Sequence, residues 1–282
     1  MMLALAALLL TGCSDAQAAL KDPKTAVFTV GDQTLTKGEM YSFMTARDAG
    51  YFAINEAKKV ILENEVPVTE DMKKEAQTAL DSYKSMLGDT FNDYLASYGF
   101  ADEEDYLNNN LILSLRSEQL TKNFINENFD AMVSRYTPKK IKMMQFTDLA
   151  KATEALQQVK DGGNFDEIAT ASGSTVSAAE TIATVQSQYP ATVLTFLAST
   201  TDPTLSEVIV DDNGTNFYIV QVLSTNAQDF KEQAVDTFAA IPALSSEASV
   251  FYFDKYNFTV YDITIYNQLK ANYKDYLIQD NK

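Results

Sequence analysis

Between Thr36 and Tyr136 the chain repeats one pattern: a capping residue, apolar side chains three and four apart, then a stop. Thr36 has Glu39 three residues on, the spacing of a capping box, in which hydroxyl and carboxylate each satisfy a helix-end donor. Met40, Phe43, Met44 and Tyr51 follow at helical spacing. Thr69 opens another helix with Glu70 and Asp71 in its first turn. Its inward face is Met72, Ala76, Ala79, Leu80, Tyr83 and Leu87, and Gly88 closes it. A short helix over residues 90–98 ends at Gly99. Asp102 then caps a long one carrying Leu107, Leu111, Leu115, Leu120 and Phe124, which runs out before Pro138. Residues 37–136 are therefore read as helical.

The pattern changes after Pro138. Residues 141–146 read as a strand and 149–160 as a helix with Leu149, Ala152, Leu156 and Val159 inward, ended by Asp161-Gly162-Gly163. Asn164–Ala169 gives a second short helix. Residues 171–187 are rich in Ser, Thr and Ala and show no clear period. Asp211-Asp212-Asn213-Gly214 supplies a hairpin turn, with Asn-Gly pointing to type I′, before a strand over 216–223. Residues 139–225 thus form a compact α+β piece. Helical character returns over 230–256, interrupted at Pro242. A strand-like break at Phe258–Val260 precedes Asp262, which caps a last helix bearing Ile265, Leu269 and Tyr273. Upstream, Val27–Val30 and Gln33–Leu35 read as two short strands around Gly31-Asp32. A length of 282 residues suits about two domains, and the layout is a small α+β module between two helical segments that pair as one discontinuous domain.

Composition narrows the chemistry. The chain has no histidine, which removes the commonest general base, the commonest metal ligand and every His-dependent triad. One cysteine excludes an intrachain disulfide, a Cys-ligated zinc and a CxxC redox pair. Any catalysis falls to carboxylates, hydroxyls, lysines, amides or backbone; no cofactor and no metal are expected. With 22 Lys and Arg against 39 Asp and Glu, the net charge of −17 argues against nucleic-acid binding. That charge keeps the chain soluble, repels anionic polymers and headgroups, and attracts basic clients. The acidic run Asp102–Asp105 is a helix start complementing the dipole. Asp211–Gly214 lacks the alternate spacing and distal Glu of a calcium loop. Asp166 and Glu167 are adjacent on a helix and diverge by about 100°, so they cannot share a substrate bond.

At the N-terminus the apolar run Leu3–Leu10 is too short to span a bilayer and suits a secretory h-region, although Met1-Met2 carries no basic residue. Leu10-Thr11-Gly12-Cys13, holding the only cysteine, resembles a bacterial lipobox. The resemblance implies cleavage before Cys13, lipidation of that residue and an extracytoplasmic globe on the cell membrane. Residues 1–12 would be signal peptide and 13–25 a small, polar tether.

Taken together, the lipobox, the helical region and the α+β module resemble the PrsA-type foldase lipoproteins, similar to the lactic-acid-bacterial members that mature secreted proteases. These combine a SurA-like helical chaperone domain with a parvulin-like prolyl isomerase module. The local matches are Val30–Thr36 before a helix, Phe91–Leu95 with Tyr98–Phe100, Gly163–Ala169 (similar to the parvulin G-x-x-F-x-x-[IL]-A helix), and Ser206–Val208 before the last strand. The implied fold is α+β: a discontinuous, mainly helical chaperone domain (26–138 and 226–282) with an inserted, degenerate parvulin-like domain (139–225) of a four-stranded antiparallel sheet plus helices. Parvulins place a histidine in the first strand and another in the last. Here those positions fall on Met143 or Met144, with Met144 taken as the degenerate position, and on Tyr218; the family's Gly-Gly-x-Leu-Gly loop has no counterpart in Ala178–Tyr189. The implied activity is peptidyl-prolyl isomerisation that is weak or lost.

Holding unfolded chains needs apolar side chains that bind without demanding a sequence. The candidates are Phe43, Met44, Tyr51 and Phe52 near the first helix and Phe251, Tyr252, Phe253 and Tyr256 in the C-terminal one. The implied partners are unfolded or newly secreted polypeptides and the membrane, with a homodimer left open. Two other readings stay open: an active prolyl isomerase, and a surface lipoprotein serving as adhesin or solute binder. Solute binders show repeated β-α units, which this strand-poor chain lacks.

Overall fold

In chain order the elements are β1 (Ala26–Val30), β2 (Gln33–Thr36), α1 (Lys37–Thr45), α2 (Ala49–Glu65), α3 (Glu70–Leu87), α4 (Phe91–Ser97), α5 (Glu103–Tyr106), α6 (Leu113–Glu127) and α7 (Phe129–Tyr136). They continue with β3 (Lys139–Phe146), α8 (Leu149–Lys160), α9 (Phe165–Ser172), β4 (Thr181–Ala183), α10 (Ala191–Ser199), β5 (Thr204–Leu205), β6 (Ile209–Val210), β7 (Phe217–Ser224), α11 (Lys231–Ala239), α12 (Pro242–Lys255) and α13 (Ile263–Asn272). This computed structural model describes residues 18–281; Cys13 and the apolar run before it lie outside them. The chain is mainly helical with a small antiparallel sheet, and it divides into two compact units. One reaches to Thr121 and resumes at Ser245; the other spans Lys122–Leu244, so the unit containing residues 139–225 also takes in α7 and α11.

In the first unit the caps read from sequence do the local work. Thr36 and Glu39 close a capping box, Thr69 accepts from Met72 N–H, and Asp262 accepts from the amides of Thr264 and Ile265. The single long helix expected after Asp102 is instead interrupted: Leu107–Ile112 form a widened π-type turn between α5 and α6. Asn108-Asn109-Asn110 sit there, and the Asn109 side chain donates to the Asp105 carboxylate at 2.6 Å. Around Tyr106, buried in the core, Phe91, Tyr94, Phe100 and Tyr83 meet its ring edge to face at 5.0–6.2 Å. Burial among them pushes the Tyr106 phenol up to about 12. Phe258–Val260 belongs to no strand; Val260 is tied instead to the side chain of Gln279.

In the second unit the sheet runs β4-β3-β7-β5, with the two-residue β6 also paired to β7, every pairing antiparallel. A four-stranded antiparallel sheet is the expectation, and β6 adds a fifth strand. Strand β4 lies in the stretch that showed no period, because three residues are too few to display one. Between β5 and β6 Ser206 is buried, and its hydroxyl accepts the Val220 N–H at 2.9 Å, filling a ladder position. Helix α8 ends as expected: Gly162 has φ 93°, and the amides of Gly162 and Gly163 return to the carbonyls of Val159 and Gln158. Leu149, expected inward, is 51% exposed; it is the first residue of α8, directly after the Asp148 cap, and the buried face begins at Ala152. The 211–214 turn differs from type I′. Only Gly214 has positive φ (72°), and Asp211 itself holds the loop by accepting from the amides of Thr215 and Asn216 and from the Asn216 side chain.

Candidate functional site

Two regions carry the residues singled out from sequence, one in each unit. In the first unit α1 ends at Thr45, and the chain turns through Asp48, which adopts a left-handed conformation (φ 60°) and caps α2 by accepting from Tyr51 N–H at 3.1 Å. This turn presents Phe43, Met44, Tyr51 and Phe52 to solvent; both Phe43 and Phe52 are 65% exposed. Arg47 lies over the Phe43 ring at 4.9 Å, and Tyr273 donates to Asp48 at 2.6 Å, which raises the Tyr273 phenol. Tyr51 and Phe52 also wall a hollow of about 440 Å³ with Leu113, Asn55, Lys58 and Lys59. Burial lowers the Lys58 ammonium, and Lys59 pairs with Glu56 at 2.8 Å. The hollow therefore combines an aromatic wall with a polar rim.

The C-terminal half of the candidate list needs correction. Tyr252 (0% exposed) and Phe253 (1%) are core residues, Phe251 is half-buried, and only Tyr256 reaches solvent, where it donates to Glu65 at 2.8 Å. Helix α12 is enclosed around much of its circumference, so adjacent aromatics both find partners: Phe253 meets Phe258 and Tyr276 edge to face at 4.9 Å, and Phe251 meets Tyr252 at 5.1 Å. Conversely, sequence reading missed Val27, Phe28, Val30 and Met40, all exposed. A signal was present: a two-stranded ribbon has no second layer under which to bury Val27-Phe28.

In the second unit the sheet register decides what meets what. Met144 pairs with Ile219, and Gln145 pairs with Tyr218. Side chains alternate along a strand, so Met144 and Tyr218 fall on opposite faces. Met144 is buried with Phe146, Leu156, Phe165 and Ile168 under α8 and α9. Tyr218 packs with Ile141, Val193, Leu197 and Val220 on the α10 side, where Met143, Tyr189, Phe196 and Ile209 join it. The pair Met144 and Tyr218 is thus not a site; Met143 is the methionine that shares the Tyr218 face. Burial raises the phenols of Tyr218 and Tyr189, with Asp211 adding to the effect at Tyr218. Both stay protonated donors at neutral pH, so this face offers apolar walls and hydroxyl donors but no group that moves a proton near pH 7. Beside it a mostly apolar hollow of about 350 Å³ opens between β4 and α10, lined by Ala183, Val185, Leu194, Leu197 and Lys139 among others.

A chain of two units, one helical with exposed aromatics and one built on a small antiparallel sheet, is the class these features define. No family model matches the chain, and no curated protein does. Among solved structures it is similar to the foldase protein PrsA from Streptococcus pneumoniae, at 17% identity over 90% of this chain and 100% of that one, with a TM-score of 0.47. It is also similar to the peptidylprolyl isomerase PrsA from Bacillus cereus, at 13% identity over 88% and 98% with a TM-score of 0.48. The foldase PrsA from Lactococcus lactis gives 16% identity over 88% and 98%, with a TM-score of 0.43.

Proposed function

We propose that this chain is an extracytoplasmic folding factor, anchored to the cell membrane by lipid on Cys13, that holds newly exported polypeptides while they fold. The observation that carries the reading is the run of exposed apolar side chains on β1, α1 and α2, from Val27 to Phe52, beside an aromatic-walled hollow. Large side chains left in water over a short stretch mark a surface that binds apolar partners. The Lys59–Glu56 pair and Lys58 keep the edge of that hollow polar. The domain reading of 26–138 with 226–282 around a parvulin-like 139–225 belongs to this proposal, as does weak or absent isomerase activity.

The absence of a neutral-pH acid or base on the Tyr218 face supports that last point. Twisting an X–Pro amide crosses a barrier of about 18–20 kcal/mol, and a catalyst must hold the carbonyl as conjugation breaks. Two protonated phenols against an apolar wall do only part of this. A proline-peptide assay checks it: clear catalysis that disappears in Tyr218→Phe would establish the active-isomerase reading instead. The holding activity is tested by diluting a chemically unfolded client into buffer with the protein in severalfold excess. Suppressed light scattering is the expected result; undiminished aggregation overturns the chaperone reading in favour of an adhesin or solute binder. The anchor is tested by palmitate labelling in cells, expected to vanish in Cys13→Ala.

A further inference from the structure

We infer that the lipid on Cys13 holds one defined corner of the first unit against the bilayer, with Tyr261 at headgroup level; this deepens the anchoring proposal and rests on it. From sequence, residues 13–25 read as a loose tether able to reach about 40 Å when extended. The structure ties down most of that length. The Ala18 N–H donates to the Tyr261 carbonyl at 2.8 Å, and the Ile263 N–H donates to the Ala18 carbonyl at 3.0 Å, a parallel bridge between Ala18 and Asp262. Further along, Gly38 N–H donates to the Pro23 carbonyl at 2.7 Å and Lys37 N–H to the Thr25 carbonyl at 2.8 Å. Only five residue steps separate Cys13 from Ala18, and fully extended they span at most about 18 Å. The start of α13 therefore cannot leave the membrane surface by more than that.

Three observations fit this corner to a lipid surface. Tyr261, whose carbonyl carries the bridge, is 62% exposed, and Ile263 beside it is exposed as well. Tyrosine is a side chain that settles where hydrocarbon gives way to headgroups. Charge is the second observation. From Ser14 to Lys37, Lys21, Lys24 and Lys37 balance Asp15, Asp22 and Asp32, so the anchoring segment is neutral on a chain of net charge −17. The Asp262 carboxylate is engaged in capping α13. Third, no helix among the described residues is long and apolar enough to cross a membrane.

The chain has no tryptophan, so Tyr261→Trp installs a single fluorophore. The full-length variant is expressed in a bacterial host with lipoprotein processing and placed in phosphatidylcholine–phosphatidylglycerol vesicles carrying a nitroxide on the headgroup. Strong quenching of Trp emission is expected. It should weaken severalfold when Ala18→Pro removes the bridging N–H, and again when a flexible Gly-Ser insert of about 24 residues after Ser14 widens the tether to a mean reach of about 30 Å. Far-UV circular dichroism checks that each variant is folded. Equal quenching in all three proteins, or none in the first, overturns the inference. Protein mass reports the lipid separately. If Cys13 is unmodified, the anchoring proposal fails on its own, and the orientation is still read after coupling that sole thiol to a maleimide lipid.

Discussion

Gln268 is the side chain through which the C-terminal helix organises the α1–α2 turn. Its Oε1 accepts from Gly50 N–H at 3.0 Å, and its Nε2 donates to the Thr45 carbonyl at 2.7 Å. One amide thus satisfies a carbonyl at the end of α1 and an amide at the start of α2, 223 and 218 residues away. Gly50 makes room for it: a Cβ there would stand 3.3 Å from Leu269 Cδ2 and 3.4 Å from Gln268 Cβ. Replacing Gln268 by Ala removes two half-buried hydrogen bonds, each worth about 1 kcal/mol net, and leaves both backbone groups to find water. The expected loss is about 2 kcal/mol, which speeds amide exchange by about 30-fold where opening is local. The assay is hydrogen exchange resolved to residues 45–55. Gln268→Glu keeps the acceptor for Gly50 but sets a carboxylate oxygen against the Thr45 carbonyl, so it should cost at least as much as Gln268→Ala. Because this turn carries Phe43, Met44, Tyr51 and Phe52, client holding should weaken in the same order. Protection unchanged within about 0.5 kcal/mol in Gln268→Ala would refute the argument that this amide fixes the turn.

Other outcomes follow from particular contacts. Replacing Phe43, Met44 and Phe52 together by Ser should change stability by less than about 0.5 kcal/mol, since none is core. Each exposed Phe ring offers about 130 Å² to a client, a ceiling of about 3 kcal/mol, so aggregation suppression should need at least tenfold more protein; unchanged suppression would move the binding surface elsewhere. Gly163→Ala places a Cβ 2.7 Å from Ile168 Cδ1 and 2.9 Å from the Gln158 carbonyl, so a denaturant melt should show a loss of about 1–3 kcal/mol. Hydrogen bonds, first from the Asn216 side chain, hold Asp211 down from its ordinary 3.8 to about 2. A depressed acid stabilises where it is charged, so its contribution is present above about pH 4 and lost as pH falls through about 2. Exchange at the Thr215 and Asn216 amides should report that window, and Asp211→Asn should abolish it.

What the amino-acid order determined is what neighbours along the chain decide. Thr36 with Glu39, Thr69, Asp102 and Asp262 cap helices where the sequence placed them, because a cap bonds amides two or three residues on. The stop at Gly162-Gly163 is equally local. Exposure of Phe43, Met44, Tyr51 and Phe52 could be named from sequence only as candidates, alongside Tyr252 and Phe253, which turned out to be core. Composition and periodicity do not distinguish an aromatic facing solvent from one facing a second helix. Register was beyond reach for a sharper reason: a shift of one residue along β3 exchanges faces, so Met143 rather than Met144 stands with Tyr218. The widened turn at Leu107–Ile112, the three residues of β4, the Gln268 clamp and the bridge at Ala18 are likewise tertiary outcomes. Each depends on groups brought together from distant positions, and the free energy of such a meeting is set by packing and geometry that no short window of sequence contains.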